Sequence, residues 1–391
     1  MQRMARECAD AAYDGSTTSK RLREALQDLF GFPYIIFTPQ GRGAEFLLDS
    51  AMMTHTQPYV AGNTPFDTTR QNIEFRGGTF MDCTRPGTGE IDCENLDLFL
   101  QTKARCTAYI LATITCNSRG GMPVSLDNLR EVAFLARLWR VPFFVDAARY
   151  AENAYLNWEM MEGLVSRPEI PEIVREQTGT IADGMLISFK KDALAHGGGA
   201  LLLHSEKLFR QILPLSILCM GGRDYGGIPP ETREEITQGL RESVAFPYLA
   251  ERILQVRKLG NALKQLGISC AIGGHSVSID AGKLLPHLSW RQFPGHVLAL
   301  LLYIEGEIRS CEMGSLMFEK DPFTKEERQA EQELVRLAIP RRRYSDEELD
   351  LVTKTVSRIN DEIPIDQIPG VSIEPPEPPR LRHFLASYRW E

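Results

Sequence analysis

The sequence predicts an α/β protein: a large part built on a mainly parallel sheet with helices on its faces, then a smaller α+β part. Three observations carry this. Short, wholly apolar runs recur along the first two thirds of the chain. Stretches with helical apolar spacing lie between them, and the texture changes after about residue 250. Buried strands separated by amphipathic helices are the pattern of a sheet covered on both faces.

The elements can be taken in order. FPYIIF (32–37) reads as a buried strand that runs into the glycine-rich turn Gln40-Gly41-Arg42-Gly43-Ala44-Glu45 at a helix start. TAYILATI (107–114) is a continuous apolar strand. SLDNLREVAFLARLWR (125–140) is a helix, with a capping serine and Leu129, Val132, Ala133 and Ala136 on one face. VPFFVD (141–146), MLISF (185–189) and GGALLLH (198–204) are further buried strands. PYLAERILQVRKLGNALKQLG (247–267) is helical and leads into a more mixed region. There SDEELDLVTKTVSRIND opens with a capping box of Ser345 and Glu348. The proline-rich IPGVSIEPPEPPRLRHF cannot be helical in its middle. These features divide the chain into an N-terminal arm (1–15), a large domain (16–250) and a small domain (251–391).

Composition narrows the class. The chain has 391 residues, 43% hydrophobic and 25% charged, which suits a globular protein of two domains. A formal net charge of -8 argues against a general nucleic-acid binder. The one basic run, Arg341-Arg342-Arg343, adjoins the acidic SDEELD and reads as a local cluster. The longest apolar run, VLALLLYI (297–304), is too short to span a bilayer. The first fifteen residues are polar, without the apolar core of a secretory signal. Eight cysteines without a C-x-x-C pair read as reduced thiols, with no metal site expected. A cytoplasmic enzyme is the expectation.

In such sheets ligands lie beyond the carboxyl ends of the strands, so the residues after each strand matter most. After FPYIIF comes the glycine turn, whose amides at a helix start suit a phosphate. After TAYILATI comes Asn117, after VPFFV comes Asp146 with Arg149 one turn on, and after MLIS comes the pair Lys190-Lys191. A carboxylate can keep a pyridinium nitrogen protonated, and an arginine can reach the ring's phenolate oxygen. A lysine can form an imine with an aldehyde and later act as a base at the substrate α-carbon. Together these residues describe a pyridoxal phosphate site, and the 45 residues from Asp146 to Lys191 fit an aminotransferase-like (fold type I) arrangement.

PQGRGAE, ATITCNSRGGMPVS, VDAARYAENAY, SFKKDA, DAGKLLPH and VRLAIPR closely resemble segments of the β-eliminating lyases, the family of tryptophanase and tyrosine phenol-lyase. The resemblance runs from about Tyr13 to the C-terminus. It implies that Lys191 is the imine lysine with Lys190 beside it, and that Gln40, Gly41, Arg42 and Ser188 bind phosphate. It further implies that Phe66 stacks on the ring, Asp146 pairs with its nitrogen, and Asn117 and Arg149 lie near its phenolate oxygen. Arg336 would hold the substrate carboxylate. Tyr13 would reach into a neighbouring subunit's site within a homodimer or homotetramer, and Tyr13, Asp67 and His383 are the candidate proton donors to the leaving group. Asp67, His383 and Met313 each match the tryptophanase side of the family, which implies an indole-like leaving group.

The likeness also has gaps. Only twelve residues precede Tyr13, where the family has several dozen, and Ala11 replaces a glutamate. The family's monovalent cation (K+) therefore carries over less securely than the cofactor, with the backbone carbonyl of His196 still able to serve as one of its ligands. Pro229-Pro230 interrupt a stretch that runs more smoothly in the family. A β-substitution or other α-carbon reaction on a different amino acid is the first alternative to tryptophan cleavage. A catalytically degenerate homologue is the second.

Overall fold

A computed structural model describes residues 16–163, 166–222, 227–318, 320, 324, 326–378 and 381–391. The N-terminal arm, Tyr13 included, lies outside the described residues. The chain forms two compact units, Met1–Ala250 and Glu251–Glu391.

The first unit is built on a seven-stranded sheet of β1 (Tyr34–Thr38), β2 (Tyr59–Gly62), β3 (Thr79–Asp82), β4 (Thr107–Thr113), β5 (Phe143–Asp146), β6 (Gly184–Ser188) and β7 (Gly199–Leu203), in the order β1-β7-β6-β5-β4-β2-β3. From β3 through β2, β4 and β5 to β6 every pairing is parallel. All seven residues of β4 and all five of β7 are buried, which is why their sequences are apolar runs rather than alternations. Packed on the sheet is α1 (Gly41–Met52), which buries Leu47 and Leu48 with Tyr109, Phe144, Leu186 and Leu201 in one core cluster. The helix predicted over 125–140 forms as α3 (Leu126–Trp139), and Ser125 Oγ accepts from the Asn128 amide at its start. Between α1 and α3 lies α2 (Asp67–Phe75), which follows β2.

The sheet is mainly parallel, as expected, and one strand departs from that direction. β7 runs antiparallel to both of its neighbours, β6 and β1. The physical reason is the connection: β6 and β7 are joined by a ten-residue loop, 189–198, without the helical crossover that parallel neighbours need. Pro229-Pro230 stand at the start of a helix, Pro229 at the cap and Pro230 as the first residue of Pro230–Ser243.

The helix Phe246–Gln265 leads into the second unit. That unit has a four-stranded antiparallel sheet of β8 (Cys270–Ile272), β9 (Ser276–Asp280), β10 (Cys311–Met313) and β11 (Leu334–Ala338), ordered β10-β11-β9-β8. Val277, Ile279, Val335 and Leu337 of this sheet share a core with Leu298 and Leu302 of the helix Pro294–Gly306 and Val356 of the helix Asp346–Asp361. The latter helix carries the expected capping box of Ser345 and Glu348. In the proline-rich tail Val371–Ile373 form a strand and Arg382–Leu385 a helical turn that holds His383.

Candidate active site

The carboxyl ends of β1, β4, β5 and β6 converge on one pocket of the first unit. The end of β1 turns into α1 through Gln40, whose extended backbone caps the helix without a side-chain bond. A Cβ on Gly41 would lie 2.8 Å from the Ser188 Cβ and 3.2 Å from its Cα, so the backbone at 41 can approach β6 this closely only as glycine. Gln40, Gly41, Arg42 and Ser188 thus border one part of the pocket, the Gly41–Ser188 recess.

Gly198 and Gly199 of the triple glycine 197–199 have the same cause. Gly198 adopts φ +86°, and its amide donates to the Pro39 carbonyl at 3.0 Å. A Cβ on Gly199 would lie 2.5 Å from the Gln40 carbonyl carbon. The segment before β7 must pass directly under the turn after β1, and side chains there would displace it.

Lys190 and Lys191 stand in the reversal between β6 and β7. The Phe189 amide donates to the Gly198 carbonyl at 3.1 Å, and the Lys191 amide donates to the Ser188 carbonyl at 3.3 Å. Asp192 is buried and accepts from the amides of Ala151 at 2.7 Å and Glu152 at 3.0 Å, in the first turn of the helix Tyr150–Met160. It therefore anchors the lysine loop to the segment that carries Arg149. The sequence reading gave Asp192 no role; its place directly after the lysine pair was the available signal.

Asp146 ends β5, paired with Thr113 of β4 and Leu186 of β6. Burial pushes its carboxyl up to about 6, while the Ala148 amide and the charges of Arg149 and Lys191 pull it back. Beyond β4, Thr113, Ile114, Thr115 and the buried Asn117 line the pocket. Ser118 Oγ donates to the Pro65 carbonyl at 2.8 Å, and Arg119 Nε donates to Thr64 Oγ1 at 3.0 Å. These bonds tie the loop after β2, which ends at Phe66, to the loop after β4. Phe66 caps α2, and Asp67 Oδ1 accepts from the next amide, of Thr68, at 2.6 Å.

All ten residues expected to bind the cofactor line this one pocket: Gln40, Gly41, Arg42, Phe66 and Asn117 on one stretch of the chain, then Asp146, Arg149, Ser188, Lys190 and Lys191. Asp67 follows Phe66 but is not among the lining residues. Met313 on β10 and Arg336 on β11 belong to the second unit, as does His383. Tyr13 lies outside the described residues.

Glu45 and Thr68 also line the pocket, and the sequence reading gave neither a role. Burial, followed by the neighbouring charge of Asp146, pushes the Glu45 carboxyl up to about 8. Four residues along α1, the buried Asp49 accepts from Tyr109 Oη at 2.5 Å, and burial raises it to about 7.

The pocket residues fit pyridoxal phosphate in their chemistry. The turn at the start of α1 and Ser188 have amides and a hydroxyl suited to an anion, and only glycine at 41 lets them stand this close. Asp146 is a buried carboxylate suited to a protonated ring nitrogen, and Lys191 supplies a primary amine in the same pocket. The buried hydroxyls of Thr113 and Thr115 have no hydrogen-bond partner among the described residues.

The fold and this pocket define a fold type I pyridoxal phosphate enzyme. Two solved chains support the fold. One is SPT with PLP, at TM-score 0.60 and 16% identity, covering 91% of this chain and 82% of that one. The other is from the SepCysS-SepCysE N-terminal domain complex, at TM-score 0.57 and 15% identity, covering 87% and 84%. The family is narrower. The Beta-eliminating lyase family model matches residues 1–355. The tryptophanase of Salinibacter ruber is 39% identical, covering 97% of this chain and 82% of that protein. The tyrosine phenol-lyase of Symbiobacterium thermophilum is 37% identical, covering 97% and 84%. The chain belongs to the β-eliminating lyases and is a pyridoxal phosphate-dependent lyase. Among the described residues, no helix is long and apolar enough to cross a membrane.

Proposed function

We propose that this lyase cleaves an aromatic L-amino acid at its β-carbon, with tryptophan and water giving indole, pyruvate and ammonia. The observation that carries the reading is the meeting of Lys191, Asp146 and the Gly41–Ser188 recess in one pocket of a β-eliminating lyase. The substrate class is supported by Asp67, Met313 and His383, the three positions where the sequence resembles tryptophanase more than tyrosine phenol-lyase. Met313 is an apolar side chain that could neither ionise nor donate to a phenolic hydroxyl.

When bound, the cofactor supplies an electron sink for the charge that develops at the α-carbon. The Lys191 amine takes the α-proton, and the Asp146 carboxylate keeps the ring nitrogen protonated. Arg336 grips the α-carboxylate through its guanidinium fork. The Cβ–C3 bond to indole breaks as C3 gains a proton, for which Tyr13, Asp67 and His383 are the candidate donors. Water then replaces nitrogen on the three-carbon remainder, releasing ammonia and pyruvate. The chain assembles as a homodimer or homotetramer in which Tyr13 serves a neighbouring copy's site.

An absorbance spectrum with pyridoxal phosphate, before and after L-tryptophan, tests this reading, with indole and pyruvate assayed in the same sample. Indole and pyruvate in equal amounts support it. Pyruvate without indole, from another amino acid, would retain the lyase and reject the substrate. Light scattering across a concentration series checks the assembly.

A further inference from the structure

The buried carboxyl of Glu45 is unused by the reading above, yet it has more partners than a packing residue needs. It lies one turn after Gly41 on α1, so the two residues share a face of that helix. Its Oε2 accepts from Thr68 Oγ1 at 2.8 Å and from Asn72 Nδ2 at 3.2 Å, and its Oε1 accepts from Thr69 Oγ1 at 3.1 Å. All three donors come from α2, the helix capped by Phe66. One carboxyl therefore spans two helices whose starts carry two different parts of the pocket: the glycine recess on α1 and the aromatic ring on α2.

We propose that Glu45 is a positioning residue that clamps the first turns of α2 onto α1, holding Phe66 at a set distance from the Gly41–Ser188 recess. The inference rests on the cofactor reading of that pocket. An apolar side chain could pack two helices together without the desolvation that a buried carboxyl incurs. Fixed directional bonds to three α2 side chains instead define the register and separation of the two helices. The charges around it do not favour an ion-pair role. Asp49 on its own helix and Asp146 on β5 both oppose a negative charge at Glu45. Arg76, at the C-terminal cap of α2, acts on Asp49 and donates to the Phe46 carbonyl and to Ser50.

The test compares Glu45→Ala, Glu45→Gln and the double variant Thr68→Val/Thr69→Val. Each is titrated with pyridoxal phosphate by absorbance and by visible circular dichroism, which reports the asymmetry imposed on the bound ring. Glu45→Ala is expected to weaken cofactor binding by about tenfold or more and to diminish the visible dichroism. Glu45→Gln keeps the shape and an accepting oxygen, and is expected to recover most of both. The double variant is expected to fall between them, and it decides the matter if Glu45→Ala does not fold. Wild-type affinity and dichroism in Glu45→Ala or, failing that, in the double variant would overturn the clamp. So would a loss in Glu45→Gln as large as in Glu45→Ala, because charge and not geometry would then be at work. A wild-type protein that takes up no cofactor would reject the pocket reading itself, and the clamp with it.

Discussion

Gly41 and Ser188 approach so closely that a Cβ on the first would lie 2.8 Å from the Cβ of the second. Two strand ends 147 residues apart in sequence thereby make the wall of one recess. Gly41→Ala must push Ser188 or the start of α1 aside. The expected outcome is a fall in pyridoxal phosphate affinity of about tenfold or more, equivalent to roughly 1.4 kcal/mol. The cofactor-free protein should lose some stability too, since the clash is with the Cβ and backbone of Ser188 on an interior strand, so affinity is compared at a temperature where the variant is folded. Unchanged affinity in an absorbance titration would separate the recess from the phosphate.

Lys191→Ala removes the amine to which the proposed reaction assigns both the imine and the α-proton. Release of pyruvate should drop by at least about a thousandfold, because both the covalent step and the base are lost. Lys190→Ala should lose far less, since its neighbour supplies the chemistry. A larger loss in Lys190→Ala than in Lys191→Ala would mean that the two lysines have been assigned the wrong way round.

Arg336 lies on β11, between Cys311 of β10 and Ser278 of β9 in the register of the second sheet. Arg336→Lys retains the charge but loses the planar fork. KM for the amino acid should rise on the order of a hundredfold, with kcat changed less. A change confined to kcat would show that this arginine does not bind the substrate carboxylate.

Stability against pH follows from three carboxyls, all raised in the folded state. Asp146 moves from 3.8 to about 6, Asp49 from 3.8 to about 7 and Glu45 from 4.5 to about 8, burial being the largest cause in each. The folded chain thus holds protons that the unfolded chain releases, so their contribution is full below about pH 4 and is lost progressively as pH rises from there to about 6 for Asp146, 7 for Asp49 and 8 for Glu45. The melting temperature of the cofactor-free protein should fall across that interval. Asp146→Asn should remove the part lost by about pH 6, roughly 3 kcal/mol at about 1.4 kcal/mol per pH unit. That variant is then more stable than wild type at neutral pH and less active, the signature of a buried group kept for chemistry. A flat melting profile, or an Asn variant that is less stable, would contradict the assignment.

Much of the site was legible in the sequence because its parts sit at strand ends. An apolar run announces a buried strand, and the polar residue that follows it is at the sheet's carboxyl edge whatever the loops do. Asn117, Asp146, Lys191 and the glycine turn were found in that way. Glu45 was not: the glycine turn contains it, but its partners Thr68, Thr69 and Asn72 lie 23 to 27 residues away on another helix. Nor did any local pattern connect Asp49 with Tyr109, 60 residues on. Asp192 stood in plain view beside the lysines, yet its use became visible only where its carboxylate met the amides of Ala151 and Glu152.

By itself the sequence determined where apolar strands and amphipathic helices would form, and which chemical groups would stand at the ends of those strands. Periodicity and polarity are local properties, and they suffice for that. The tertiary structure decided the direction of β7, the need for glycine at 41, 198 and 199, and the state of the buried carboxyls. Those depend on which backbone passes within 3 Å of which, and on how much water reaches Asp146, Glu45 and Asp49. Both are set only when segments distant along the chain have packed together.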